Sequence, residues 1–116
     1  MNPVHNEIGA VFIPVREIEK ARDWYSDILN LPIDGEILFG HLYVLPMEGT
    51  KIVLDSKISH DDHVYRFPPF HFNASDISEA FAYMSTKQVE MDDEINGNWF
   101  RFKDPDGNVL MVCECM

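Results

Sequence analysis

The sequence predicts an α+β fold made of two related halves. Three observations lead there: an internal repeat, one helix-period segment in each half, and short alternating segments after each helix. "AVFIPVREIEKARDWY" (10–25) lies over "PFHFNASDISEAFAYM" (69–84) at a constant offset of 59. Both copies carry an acid–isoleucine pair (Glu17-Ile18, Asp76-Ile77), an alanine three residues on (Ala21, Ala80) and an aromatic after another three (Trp24, Tyr83). "GTKIVLD" (49–55) lies over "GNVLMVC" (107–113) at an offset of 58. Two blocks in the same order at nearly the same offset point to a duplicated strand–helix–strands unit.

Each element has a local reason. Ile8 to Val15 is rich in β-branched and aromatic residues and reads as a strand. From Glu17, apolar residues at Ile18, Ala21, Tyr25, Ile28 and Leu29 fall on one helix face, and Leu31-Pro32 ends it, because a residue before proline avoids the α region. Gly35, Gly40 and Gly49 punctuate three further strands, near 36–38, 41–45 and 51–55. The second half opens with a strand at 70–74. Asp76 with Glu79 reads as a capping box before a helix that turns Ile77, Ala80, Phe81 and Met84 inward. Strands near 99–103 and 108–114 follow, with a short one near 91–95. The expected organisation is a single domain over 1–116: module one at about 5–56, a polar linker at about 57–68, and module two at about 69–116.

Strand alternation sorts the side chains by face. Phe70, Phe72 and Ala74, Phe100 and Phe102, and Ile52 and Leu54 form apolar sets suited to covering by the helices. The intervening sets are mixed. Curved sheets from a duplicated unit can enclose a cavity, and the residues expected to line it are Phe12, Val53, Asp55, His71, Asn73, Trp99, Arg101, Met111 and Cys113. A His71–Asp55 pair is the candidate for acid–base chemistry. Arg101 and Trp99 suit a carboxylate and a planar ligand.

Other features read as structural. "HDDH" (60–63) is a solvated charge run in the linker, and "DPDG" (104–107) is a turn in which proline presets one corner and glycine permits φ > 0. Cys113 and Cys115 stand two apart, on one strand face, and are expected as two reduced thiols. A formal charge of -11, from 20 acidic and 9 basic residues, would repel a nucleic acid or an anionic membrane and favours a cationic or neutral ligand. The N-terminus does not read as a signal peptide, and no apolar run is long enough to span a membrane, so a cytoplasmic protein is expected. No nucleophile–base motif, phosphate-binding glycine loop or dinucleotide fingerprint is present.

The chain resembles the vicinal oxygen chelate superfamily, which includes glyoxalase I, extradiol dioxygenases, fosfomycin-resistance enzymes and bleomycin-resistance proteins. The likeness rests on "IPVREIEKARDWYSDILNLP" (13–32), "FHFNASDISEAF" (70–81) and "FRFKDPDGNVLMV" (100–112). It implies paired βαβββ modules forming a curved mixed sheet around a cleft, and a homodimer. Metalloenzymes of the superfamily take ligands from the first and last strand of each module. Those positions fall here on Ala10, Val53, Pro69 and Met111. Alanine, valine and proline have no side-chain donor, and a thioether suits these hard or borderline cations poorly. The resemblance therefore implies a metal-independent protein that binds a small organic molecule, without a cofactor. The alternative is a divalent-metal lyase, isomerase or dioxygenase with relocated ligands at His71 and Asp55, aided by His41 or Glu114.

Overall fold

A computed structural model of the chain describes residues 2–115. The chain divides into two compact units, Met1–Ser59 and His60–Met116. The first contains β1 (Ala10–Pro14), α1 (Ile18–Ile28), β2 (Leu42–Leu45) and β3 (Lys51–Asp55). The second contains β4 (His71–Asn73), α2 (Ile77–Thr86), β5 (Glu90–Met91), β6 (Trp99–Lys103) and β7 (Val109–Cys113).

The two sheets repeat one topology. Sheet order is β1-β3-β2 in the first unit and β4-β7-β6-β5 in the second. In each, the opening strand runs parallel to the closing one, and the closing strand pairs antiparallel with its predecessor. The duplicated pattern in the sequence is thus a duplicated fold. One difference stands out: the strand expected near 36–38 is reduced to a single bridge between Leu38 and Leu42. Phe39 and Gly40, with φ of 54° and 78°, make a tight two-residue corner there, and the chain reverses before a ladder can extend.

α1 buries its expected stripe except Leu29, which is half-buried, and α2 buries Ile77 and Met84 while Ala80 and Phe81 stay half-buried. In α1, Ile18, Ala21, Tyr25 and Ile28 are buried, and on the sheet so are Ile13, Tyr43, Leu45, Ile52 and Leu54. In the second unit the core holds Ile77, Met84, Phe100, Phe102, Leu110 and Val112. Phe81 of α2 meets Phe100 edge-on, with ring centroids 5.1 Å apart.

Both helices also stop in the same way. Asn30 and Gln88 take left-handed φ of 54° and 59°. Leu31 N–H then bonds Ser26 O at 2.8 Å and Asn30 N–H bonds Asp27 O at 3.3 Å. The second unit repeats this, with Val89 N–H on Met84 O at 3.3 Å and Gln88 N–H on Ser85 O at 3.1 Å. These pairs form the Schellman closure, so α1 ends at Ile28 through its own carbonyls, ahead of the stop expected at Leu31-Pro32.

The residues expected to connect the halves are partly built into the second unit. Asp61–His63 is one turn of 3₁₀ helix. Beyond it, Tyr65 O accepts from Val109 N–H at 2.8 Å, and Tyr65 N–H donates to Asn108 Oδ1 at 3.0 Å. Partial burial pushes the Tyr65 phenol above its ordinary pKa. No helix among the described residues is long and apolar enough to cross a membrane.

Candidate functional site

The strand registers assign every expected site residue to a face. In the first unit, Phe12 is opposite Val53, Pro14 opposite Asp55, and Val44 opposite Val53, so these share one face. The other face carries Ile13, Tyr43, Leu45, Ile52 and Leu54, which pack into the core with α1. Phe12 and Val44 remain 48% and 38% exposed, whereas Val53 and Asp55 are buried.

The second unit has the same arrangement. His71 is opposite Met111, Asn73 and Trp99 are both opposite Cys113, and Arg101 is opposite Met111. These six residues share the face away from the Phe100–Leu110 core. The repeat makes Phe12 the counterpart of His71 and Val53 that of Met111, and the register pairs Phe12–Val53 and His71–Met111 correspond in the two sheets. His71, Asn73 and Arg101 are exposed, Trp99 and Met111 half-buried, and Cys113 buried.

Several of these side chains already have partners. Arg101 holds Asp92 through two side-chain bonds of 3.2 Å, Nε to Oδ2 and Nη2 to Oδ1, and its backbone N–H reaches Oδ2 at 3.0 Å. Burial alone would raise the Asp92 pKa. The side-chain and backbone bonds from Arg101 and its positive charge outweigh that and hold the carboxyl below the ordinary carboxylate range. Lys103 lies 3.3 Å from Glu90 on the neighbouring strand. Beside these pairs, along β5 and β6, opens a groove of about 290 Å³ lined by Arg66, Met91, Asp92, Arg101, Lys103 and Val109. That is just under the ~300–1,000 Å³ of small-molecule pockets. Periodicity does not reveal it, because it lies at a sheet edge and recruits Arg66 from the connecting segment.

The candidate acid–base pair is split between the two units. Asp55 is buried in the first, and its Oδ1 accepts the Lys57 N–H at 2.9 Å, capping the turn after β3. His71 is exposed in the second, with Nδ1 3.4 Å from Phe72 O. The two auxiliary ligand candidates are likewise engaged locally. His41 Nδ1 lies 3.0 Å from Phe39 O, and Glu114 Oε1 accepts the Ile77 N–H at 2.8 Å, at the start of α2. In the 60–63 run, His60 Nδ1 accepts from Asp62 N–H at 3.0 Å, capping the 3₁₀ turn.

The four residues that the resemblance places at the superfamily's metal positions do not fit a metal. Ala10 sits on β1 beside Lys51, Val53 is buried in β3, Pro69 precedes β4, and Met111 is half-buried in β7. Only the methionine has a side-chain donor, and it is a thioether.

Two features depart from the expectations or went unseen. Cys113 and Cys115 are paired as a disulfide, with Cα atoms 5.2 Å apart, in place of the two separate thiols expected. Strand alternation would have kept the sulfurs side by side, but β7 ends at Cys113 and the chain leaves the extended course before Cys115. The second is a buried lock inside the DPDGN turn. Asp104 Oδ1 accepts from Asp106 N–H and Asn108 N–H, both at 2.9 Å, while Oδ2 accepts from Asn108 Nδ2 at 2.8 Å. Asn108 is fully buried, and its own Oδ1 accepts from Tyr65 N–H. The Asp-x-x-x-Asn spacing was the available signal for it.

The chain belongs to the Glyoxalase/Bleomycin resistance protein/Dioxygenase superfamily, whose family model matches residues 7–112. Solved structures share the fold. An antibiotic binding protein from Streptomyces sp. CB03234 is 23% identical, with a TM-score of 0.74 and coverage of 97% of both chains. A lactoylglutathione lyase from Agrobacterium tumefaciens is 17% identical, with a TM-score of 0.71 over 97% of this chain and 95% of its own. A superfamily member from Sphaerobacter thermophilus DSM 20745 is 20% identical, with a TM-score of 0.72 over 94% and 97%. No protein of curated function matches the sequence. At these identities the structural likeness establishes the fold, and one fold here serves both a binding protein and a lyase.

Proposed function

We propose that this protein is a metal-independent small-molecule binding protein, with its ligand held on the helix-free surface of its sheets. One observation carries the reading: Ala10, Val53, Pro69 and Met111 occupy the positions where superfamily metalloenzymes place their ligands. Around them, Phe12, His71, Asn73, Trp99 and Arg101 offer aromatic and polar contact without a metal. The net charge of -11 favours a cationic or neutral organic ligand. The antibiotic binding protein with the same fold is consistent with this choice, as the lyase is with the alternative. The relocated-ligand enzyme draws less support, because Asp55 is buried and already caps the Lys57 amide. The reading places the protein in the cytoplasm as a homodimer, which equilibrium sedimentation would check.

The test is a thermal-stability screen of the oxidised protein in excess chelator against cationic and neutral planar antibiotics. A binder at 100 times its Kd should add about 2.7 kcal/mol of stability. Trp99→Ala should then weaken that ligand by at least about tenfold, the ~1.4 kcal/mol step expected of an aromatic anchor. Stabilisation that requires an added divalent metal, or lactoylglutathione lyase turnover restored by one, would overturn the reading.

A further inference from the structure

The C-terminal cysteines have a third partner. His71, Cys113 and Cys115 bring their ligand atoms within 4.8 Å of one another. We propose that these three residues form a redox-gated zinc site: closed when the cysteines are joined, open to zinc when they are reduced. The site lies two residues beyond Pro69 and Met111 along the same strands and uses none of the superfamily's metal positions. It goes beyond the small-molecule reading and does not depend on it.

The geometry comes from register and from the end of a strand. β4 and β7 run parallel with Asn73 opposite Cys113, so His71 stands one step along the same face from Cys113. Cys115 lies past the end of β7, and its sulfur is held at Cys113 by the disulfide. Asn98 orders this tail. Glu114 N–H bonds Asn98 O at 2.8 Å, and Asn98 Nδ2 bonds Glu114 O at 3.2 Å. The same Nδ2 approaches Cys115 Sγ at 3.9 Å, a donor placed to support a thiolate.

The donor set matches one class of ion. Two thiolates and an imidazole form the borderline-soft set that zinc takes, with a fourth position left for water or an added ligand. Zinc bonds of about 2.0–2.3 Å at tetrahedral angles set ligand atoms about 3.3–3.8 Å apart. The His71 ring nitrogen lies within 4.8 Å of both sulfurs and closes that distance by side-chain adjustment, while reduction lets the two sulfurs separate to the tetrahedral spacing; His71 and Cys115 are both exposed. A His71 Nδ1–H directed at Phe72 O, 3.4 Å away, would leave Nε2 as the ligand. Two thiolates balance the ion's two charges. Net charge also attracts it, because the chain carries -11.

Opening the site is a thiol–disulfide exchange. Two molecules of a monothiol such as glutathione supply two electrons and two protons, the Cys113–Cys115 bond breaks to two thiols, and the monothiol leaves as its own disulfide. Zinc then displaces the two thiol protons as it binds. Glutathione disulfide reverses the sequence and expels the ion.

Cobalt titration of phosphine-reduced protein, after removal of the reductant, tests the proposal, since Co²⁺ reports thiolate ligation by charge-transfer absorption. One Co²⁺ per chain is expected, displaced by Zn²⁺, with no thiolate band in protein oxidised by glutathione disulfide. Cys115→Ser, at an exposed position outside the strands, should weaken the band and the binding while leaving the circular dichroism unchanged. His71→Ala should keep the sulfur band but weaken affinity by more than the ~10–100-fold typical of outer-shell partners. Reduced protein that shows no thiolate band at stoichiometric Co²⁺ would overturn the site. So would equal affinity in Cys115→Ser, or equal binding by the oxidised form. The antibiotic screen uses oxidised protein in chelator, so the two readings fail separately.

Discussion

The two modules repeat one topology, yet they are held by different means. In the first, α1 begins at Glu17 with no side-chain cap, and two buried hydroxyls, Ser26 Oγ and Tyr43 OH, have no hydrogen-bond partner among the described residues. Its core is aliphatic residues around two tyrosines. In the second, α2 is capped twice, by Asp76 on the Glu79 amide at 2.9 Å and by Glu114 on the Ile77 amide. A buried Asp104–Asn108 lock joins its last hairpin to Tyr65, and Arg101 clamps Asp92. Apolar burial is common to both modules, and the polar fastenings described in the second stand where the candidate zinc ligands and the groove lie. Precise side-chain placement requires hydrogen bonds, because hydrophobic packing alone is non-directional.

The largest expected effect breaks that fastening at its centre. Asp104→Ala leaves two backbone amides and the Asn108 side-chain amide without their acceptor, and should cost about 2–4 kcal/mol in denaturant unfolding. Hydrogen exchange should show the loss first in β6 and β7. A cost below about 1 kcal/mol would mean that the lock is dispensable.

Next come the helix starts. Asp76→Ala should lower stability by about 1 kcal/mol, and Glu17→Ser, which supplies the missing cap, should raise it by a similar amount. Equal responses at the two sites would erase the difference between the modules. Tyr43→Phe removes a buried hydroxyl that has no partner among the described residues and should be neutral or stabilising by up to about 1 kcal/mol. A clear destabilisation there would mean that the hydroxyl has a solvent or ligand partner.

The smallest effect is electrostatic. The Asp92 pKa is depressed in the folded state, so its contribution is fully present above the unfolded carboxylate pKa, about 3.9, and is lost as pH falls through the folded value. Asp92→Asn should therefore flatten the acid limb of stability below about pH 4 and leave the neutral-pH slope unchanged. Both groups are partly exposed, so salt should screen the difference.

Much of this molecule is determined by sequence alone. The repeat set the two βα units and their order, alternation separated Phe100 and Phe102 from Trp99 and Arg101, and the residue types at 10, 53, 69 and 111 motivate the metal-independent proposal. These are properties of near neighbours, and periodicity carries them. Tertiary structure decided the rest. Asn108 meeting Tyr65, Glu114 meeting Ile77, and His71 meeting Cys113 and Cys115 each join residues that only sheet register or a strand's end brings together. Those meetings depend on where one segment stops against another, to within a single residue. A pattern of side-chain types along the chain does not encode distance across it.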